Sequence, residues 1–184
     1  MRSIEADRAR TSISVSAKAL LLDLDGTLVD STTVESALRS AAEDTNAAVG
    51  PRPGALRLLG ALPSGSWAVV TGCSVRSAEA RIQRAGLPEP PILITADDVV
   101  EGTPHPELLL RAMGVLDVPA DECIVIDHSP HGIASGLAAG VRVLAVGTTV
   151  PAHLRDDASW LVPTLEAITI TTERDRICLS WPTD

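Results

Sequence analysis

Short, uniformly apolar runs alternate with helical patterns along most of the chain. The apolar runs cover residues 19–24, 67–71, 92–95, 123–127 and 141–146. The segments with helical spacing of apolar positions are residues 32–48, 55–62, 74–85, 106–113 and 131–139. Strands without polar alternation are typical of parallel sheets that are buried on both faces. We therefore expect an α/β fold with a Rossmann-like parallel sheet and helices on both of its faces.

The two ends of the chain have other patterns. Residues 1–16 are polar and predict a loose N-terminal extension, which leaves residues 17–184 as one core domain. Residues 168–172 and 177–181 are rich in β-formers and flank the charged segment Glu-Arg-Asp-Arg. This arrangement predicts a C-terminal β-hairpin over residues 168–181.

The chain is acidic, with a formal net charge of −9 at pH 7. An acidic surface repels nucleic-acid phosphates and anionic lipids, so we expect no nucleic-acid and no membrane partner. No apolar stretch approaches the about 18 residues of a membrane span, and residues 1–17 lack an apolar signal region. The three cysteines are widely spaced, which suits neither a disulfide framework nor a zinc site. These observations favour a cytoplasmic protein.

Polar residues follow three of the predicted strands, at the edge where parallel sheets collect their reactive groups. They are Asp23 and Asp25, Thr71 and Gly72, and Asp127 and His128. Two carboxylates at positions i and i+2 of an extended segment point the same way, and a cation or a shared proton must offset their repulsion. An oxygen-liganded ion such as Mg²⁺ fits them, and the free N–H groups of a following helix form an anion site. This combination is typical of phosphoryl transfer.

Three segments resemble the motifs of one enzyme family. LLLDLDGTLVDST resembles the first motif of haloacid dehalogenase superfamily phosphatases, and WAVVTG resembles the second. The segment that begins EGTPHPE and ends IVIDHSPHGIASGLAAGVRV is similar to the joined third and fourth motifs of the sugar-phosphatase and phosphoglycolate-phosphatase-like branch. The resemblance covers roughly residues 17–165, and the motifs follow one another in the family's order on the expected elements.

The resemblance implies a Mg²⁺-dependent phosphatase that hydrolyses a phosphate monoester through an aspartyl-phosphate intermediate. Asp23 would be the nucleophile, and Asp25 would be the general acid and base. Thr71 and the amide of Gly72 would bind the phosphate. The side chains of Asp23 and Asp127 and the carbonyl of Asp25 would hold Mg²⁺. The partner implied is a phosphorylated substrate.

The third motif departs from the family because Thr103 stands where a lysine is usual. By position Thr103 belongs to the phosphate-binding residues, but it brings no charge to them. Lys18 is the one lysine of the chain and precedes the first predicted strand, at the wrong end of the sheet. Arg52 and Arg76 are the candidates by position to supply the cation instead.

The fourth motif departs from the family at His128, where a second carboxylate is usual. Imidazole is a poorer ligand for Mg²⁺ than for transition metals. The expected cofactor is therefore Mg²⁺ or, because of His128, another divalent metal, with Asp23, Asp25 and Asp127 as ligands and His128 as a further candidate.

The family's helical cap is largely missing, since only residues 26–70 separate Asp25 of the first motif from Thr71 of the second. The helices predicted within residues 32–62 are then residual cap or linker helices. A site without a cap is open to water. It suits a bulky or carrier-attached substrate, or a homo-oligomer in which a second copy covers it.

Two other functions are compatible with these departures. The first is a catalytically degenerate relative that binds a ligand or a partner protein, because the lysine, the second acid and the cap are all absent. The second is a diverged enzyme that uses Asp23 and Asp25 for other chemistry. Turnover of phosphate esters separates the phosphatase from both.

Overall fold

A six-stranded parallel sheet forms the centre of the protein, for which a computed structural model describes residues 12–30, 49–147 and 157–183. The strands lie in the order β4-β3-β2-β5-β6-β7, and every neighbouring pair is parallel. They are β2 (Ala19–Leu22), β3 (Trp67–Val70), β4 (Leu93–Ile94), β5 (Cys123–Asp127), β6 (Arg142–Val146) and β7 (Trp160–Val162). This sheet confirms the predicted α/β fold class.

Four α-helices in the described ranges connect and cover the strands. They are α1 (Ala55–Gly60), α2 (Val75–Arg84), α3 (Glu107–Leu116) and α4 (Pro130–Ala138). The side chain of Ser74 accepts a hydrogen bond from the N–H of Ser77 and caps α2. Ser129 caps α4 in the same way, with a proline as the first helical residue. Ser74 lies four residues after the end of β3 and Ser129 two residues after the end of β5, so α2 and α4 begin at the carboxyl edge of the sheet.

The hydrophobic core has two layers, one on each face of the sheet. In β2, Leu20 and Leu22 join the layer that also contains residues of α1 and α2, whereas Ala19 and Leu21 join the layer of α3 and α4. All four residues of β2 are 0% exposed. Burial on both faces explains why the predicted strands contain no polar alternation.

A second, antiparallel sheet has the strand order β1-β9-β8. Its strands are β1 (Ser12–Ala17), β8 (Thr169–Glu173) and β9 (Arg176–Pro182). The pairing of β8 with β9 confirms the predicted C-terminal hairpin. The loose extension expected over residues 1–16 is wrong for residues 12–16, and residues 1–11 lie outside the described ranges. Serines alternate with Ile13 and Val15 there, and β9 supplies the hydrogen-bonding partner from the far end of the sequence.

The segment between the first two motifs is described only from residue 49 onward. The helix predicted over residues 32–48 therefore lies outside the described residues. Within the remainder, α1 buries Ala55, Leu58 and Leu59 in the core layer. No helix among the described residues is long and apolar enough to cross a membrane.

Candidate active site

The centre of the candidate site lies where β2 and β5 end side by side. Asp23 directly follows β2, and its backbone N–H donates to the carbonyl of Ile126 at 3.0 Å. Asp127 is the last residue of β5, and His128 follows it. One ligand atom from each of Asp23, Asp127 and His128 lies within 4.8 Å of the other two. The parallel register of the two strands thus brings together three residues that were predicted from separate motifs.

The carboxylate of Asp23 is held from two sides through one oxygen. Its Oδ2 accepts a hydrogen bond of 2.7 Å from the hydroxyl of Thr27. The same oxygen lies 3.1 Å from Nδ1 of His128, and Nδ1 lies 3.3 Å from the Thr27 hydroxyl. Thr27 and His128 therefore fix the orientation of the Asp23 carboxylate.

The loop after Asp23 passes very close to the imidazole of His128. Gly26 has a φ of +79°, and a Cβ there would lie 2.3 Å from Nε2 of His128. Glycine meets both requirements, because it adopts positive φ readily and has no side chain to collide with the ring. The glycine of the first motif thus allows the histidine of the fourth motif to occupy this place.

Asp127 is deeply buried, and α4 begins beside it. The N–H of Ser129 donates to its Oδ1 at 2.7 Å. A Cβ at Gly132 would lie 1.7 Å from its Oδ2, so the helix backbone closely approaches the carboxylate. Burial, reinforced by the charge of Asp23, raises the pKa of Asp127 to about 8, and the N–H of Ser129 acts in the opposite direction.

The charges at this centre interact strongly. Burial disfavours the charged form of His128, but the hydrogen bond and charge of Asp23, together with the charge of Asp127, raise the pKa of its imidazole. The half-buried Asp23 and the buried Asp127 can both be ionised this close together only with a positive charge beside them. A protonated His128 provides one, and a divalent cation would provide a stronger one.

A cavity of about 60 Å³ opens beside this centre. Four residues predicted for the site contribute to its wall, namely Asp23, Gly72, Thr103 and Asp127. The other residues that line it are Leu21, Val70, Leu108, Leu109, Val125, Ser129, Gly132 and Ser135. None of these lining residues is a lysine or arginine, so the cavity wall has two carboxylates and no cationic side chain.

The loop that carries Thr103 is anchored by the start of α3. The carboxylate of Glu107 accepts hydrogen bonds from the backbone N–H groups of Val100 and Glu101, at 3.0 and 2.9 Å. On the other side of the loop, the hydroxyl of Ser135 donates to the carbonyl of His105 at 3.0 Å. These contacts place Thr103 at the cavity wall.

Asp25 lies outside the set of residues that line the cavity. Its Oδ2 accepts from the guanidinium of Arg81 on α2 in a partly buried ion pair. Its Oδ1 is buried and has no hydrogen-bond partner among the residues that the structure describes. Burial raises the pKa of Asp25, with Asp23 adding to the effect and Arg81 opposing it.

The hydroxyl of Thr71 forms its hydrogen bonds within the turn that follows β3. Its hydroxyl donates to Sγ of Cys73 at 3.4 Å and accepts from the N–H of Cys73 at the same distance. Thr71 is only 3% exposed and does not line the cavity, whereas the neighbouring Gly72 does. The phosphate-binding role of Thr71 stays a prediction.

The two arginines proposed as substitutes for the missing lysine lie in different places. Arg52 is close enough for its charge to lower the proton affinity of His128, and it lines an open cleft beside Arg57. Arg57 itself is engaged, because its guanidinium donates to the carbonyls of Leu165, Glu166 and Ile168. Arg76 is exposed on α2.

Sequence reasoning missed three contributors to the site. Thr27 and Ser129 stand beside predicted site residues, and their hydroxyl types in the DGT and DHS segments were available as a signal. Arg81 had no such signal. It lies within α2, and only the packing of that helix against the loop after β2 brings it to Asp25.

Comparisons with known proteins show which family the chain resembles. The family described as haloacid dehalogenase-like hydrolase matches residues 44–140. Hexitol phosphatase A of Escherichia coli is 37% identical over 123 residues, which are 66% of this chain and 57% of that protein. N-acetylmuramic acid 6-phosphate phosphatase of Pseudomonas aeruginosa is 34% identical over 151 residues, or 78% of this chain and 66% of that protein.

Among solved structures, CbbY of Rhodobacter sphaeroides, in complex with phosphate, superimposes with a TM-score of 0.64 at 19% identity. The match covers 82% of this chain and 95% of that one, and it supports the fold. The chain spans about half the length of the curated relatives it matches. Because the family match extends over more than half of the chain, the protein belongs to the haloacid dehalogenase-like hydrolases.

Proposed function

We propose that the protein hydrolyses a phosphate monoester through an aspartyl-phosphate intermediate on Asp23. The observation that carries the proposal is the convergence of Asp23, Gly72, Thr103 and Asp127 on one small cavity at the carboxyl edge of the sheet. The relatives described above are named as phosphatases, which supports the same chemistry.

Two displacements at phosphorus make up the proposed reaction. In the first, a carboxylate oxygen of Asp23 bonds to phosphorus while the bond to the ester oxygen breaks, and Asp25 gives that oxygen a proton. In the second, the oxygen of a water molecule attacks phosphorus, the bond between phosphorus and the Asp23 oxygen breaks, and Asp25 takes a proton from the water. Inorganic phosphate leaves, and Asp23 and Asp25 return to their starting states.

The residues at the centre fit a divalent cation. Asp23, Asp127 and the carbonyl of Asp25 would hold it, with His128 as a further ligand through the nitrogen that faces the two carboxylates. Such an ion would offset negative charge on the phosphoryl oxygens, in a cavity whose described lining residues include no lysine or arginine. Carboxylates suit Mg²⁺, and the imidazole shifts the preference towards Mn²⁺ or Co²⁺.

The volume of the cavity limits how much of a substrate can enter it. A volume of about 60 Å³ admits a few water molecules, which is the scale of one phosphoryl group. The rest of a phosphorylated substrate would remain outside it. This supports a bulky or carrier-attached ester as the substrate, and a second copy of the chain could cover the entrance.

The proposal is tested by a phosphatase screen over a broad panel of esters with Mg²⁺, Mn²⁺, Co²⁺ and no metal. Asp23→Asn should reduce turnover by about 10³-fold or more because it removes the nucleophile. Asp121→Asn is the matched control, since Asp121 is exposed at the start of β5, at the opposite end of the strand. Beryllium fluoride should form an aspartyl-phosphate mimic on Asp23 of the wild type.

Two outcomes would contradict the proposal. Full activity of a folded Asp23→Asn variant would exclude Asp23 as the nucleophile. A wild-type protein that binds inorganic phosphate but turns over no ester under any metal would support the degenerate binding protein instead. Calorimetry with His128→Asp tests the metal separately, because the added carboxylate should tighten Mg²⁺ binding.

A further inference from the structure

The ion pair between Asp25 and Arg81 joins the loop after β2 to the middle of α2. Arg81 lies two helical turns beyond the capping residue Ser74. Long helical side chains extend towards the N-terminus of their helix, which is the direction of the site. The side chain of Arg81 is only 18% exposed, and its guanidinium pairs with Asp25, the proposed acid–base residue.

The two oxygens of Asp25 have different surroundings. Oδ2 is bonded to Arg81, whereas Oδ1 is buried without a hydrogen-bond partner among the described residues. A buried carboxylate oxygen without a donor is unfavourable in a folded protein. Because Oδ1 accepts no hydrogen bond from the described residues, it is the atom of Asp25 that would pair with a hydroxyl or water brought by the reaction.

We propose that Arg81 is a positioning residue that holds Oδ2 of Asp25 so that Oδ1 exchanges the proton with the leaving group and with water. The inference rests on the proposed phosphatase function. In the first displacement the proton passes from Oδ1 to the ester oxygen, and in the second it passes from water to Oδ1. Arg81 keeps its own protons throughout.

This role differs from that of the missing lysine, which would contact the phosphate itself. Arg81 does not line the cavity that Asp23, Thr103 and Asp127 share. Its charge also acts on the turn after β3, where burial raises the pKa of the Cys73 thiol and the Thr71 hydroxyl and Arg81 oppose that rise. Arg81 thus lies between that turn and Asp25, and its hydrogen bond goes to Asp25.

The kinetic test uses Arg81→Gln, Arg81→Lys and the matched control Arg84→Gln, which removes an exposed arginine from the same helix. With the best ester from the screen, Arg81→Gln should lower kcat by about 10²-fold and leave KM within about threefold, because proton transfer suffers and phosphate binding does not. Arg81→Lys should recover part of kcat, and Arg84→Gln should match the wild type.

A double-mutant cycle with Asp25→Asn separates positioning from direct contact with phosphate. If Arg81 acts through Asp25, Arg81→Gln should have no further effect on kcat in the Asp25→Asn background. Equal losses in both backgrounds would overturn the proposal, and so would an unchanged kcat in the single variant. Thermal unfolding of each variant establishes that it is folded before its kinetics are compared.

A measurement without turnover keeps this inference distinct from the proposed function. In ¹⁵N-edited NMR spectra, the side-chain N–H signals of Arg81 should be protected from exchange in the wild type and lose that protection in Asp25→Asn. Asp121→Asn should leave them unchanged. Suppose that no ester is hydrolysed but the exchange protection of the Arg81 N–H groups depends on Asp25. The phosphatase proposal then fails, while the ion pair between Arg81 and Asp25 is supported. Protection that is absent in the wild type, or that survives Asp25→Asn, would overturn the positioning role.

Discussion

The missing side chain of Gly132 is as important to the candidate site as the carboxylates themselves. The first turn of α4 approaches Asp127 so closely that a Cβ at Gly132 would lie 1.7 Å from Oδ2. No rotation of a methyl group relieves such a contact. Either the carboxylate or the helix must move, and both carry parts of the site.

We expect Gly132→Ala to lower the free energy of unfolding by about 1–3 kcal/mol through overpacking. It should also weaken metal binding, because Asp127 is displaced. Gly114→Ala on α3 is the control, since a Cβ there meets nothing within 4 Å. That change should be neutral or stabilise by up to about 1 kcal/mol. Urea unfolding and metal calorimetry on both variants check the prediction, and equal behaviour of the pair would contradict it.

At this scale the sequence predicted that Asp23 and Asp127 lie together, but not how each side chain of the candidate site is used. The ends of parallel strands lie at one edge of a sheet, so Asp23 and Asp127 could be placed together. The direction of the Thr71 hydroxyl depends on a rotamer and on the neighbouring Cys73, which no spacing reveals. Arg81 reaches Asp25 through tertiary packing of α2, which a local pattern does not encode.

At the scale of elements, α3 both covers the sheet and holds the loop that precedes it. Its first residue, Glu107, binds two backbone N–H groups of the loop that precedes it. These bonds lower the pKa of Glu107, the one to Val100 most. The loop that presents Thr103 is therefore tied to the helix by an ionised carboxylate.

Glu107→Gln should make stability less dependent on pH. Because the pKa is lower in the folded state than in the unfolded state, the carboxylate stabilises the fold above the unfolded value of 4.5. That contribution is lost as the pH falls through the folded pKa. Wild type and variant should therefore differ most in unfolding free energy above the unfolded value of 4.5 and converge once the pH is below the lowered pKa of the folded state. Glu79→Gln, on the exposed side of α2, is the control, and a pH-independent difference would contradict the argument.

In the large sheet, the strands predicted from sequence were those whose patterns are determined by burial. The five uniformly apolar runs predicted β2 to β6, with ends that differ by up to two residues. Two strands were missed: β1 is rich in serine, and β7 has only three residues. Each depends on a partner strand for its hydrogen bonds. Alternating serines in β1 suit a strand with one solvated face, but a polar, serine-rich segment also suits a loose terminus.

At the scale of the whole molecule, aromatic and basic side chains connect the two sheets. Trp160 of β7 and Trp181 of β9 pack edge to face, with ring centroids 5.9 Å apart and an interplanar angle of 70°. The guanidinium of Arg142 lies 5.8 Å from the ring centroid of Trp160 and donates to the carbonyl of Ser16 in β1 at 2.9 Å. These contacts fix the small sheet against the large one.

We expect Trp181→Ala to lower the free energy of unfolding by about 3–5 kcal/mol, because it removes a large side chain that is 4% exposed. Leu161→Ala is the control, since Leu161 lies on β7 and is 38% exposed. It should cost well under about 2 kcal/mol. Denaturant unfolding followed by circular dichroism measures both. A loss for Trp181→Ala no larger than that of Leu161→Ala would show that the small sheet contributes little to stability.

The pairing of β1 with β9 also sets an order of events during synthesis. Ser12 lies opposite Pro182, so almost the entire described chain is translated between the two strands. At about 5–20 residues per second, β1 waits roughly ten to thirty seconds for its partner. During that interval Ile13 and Val15 have no strand to cover them, while the strands of the large sheet emerge one after another. The small sheet is thus the last part of the described fold to form.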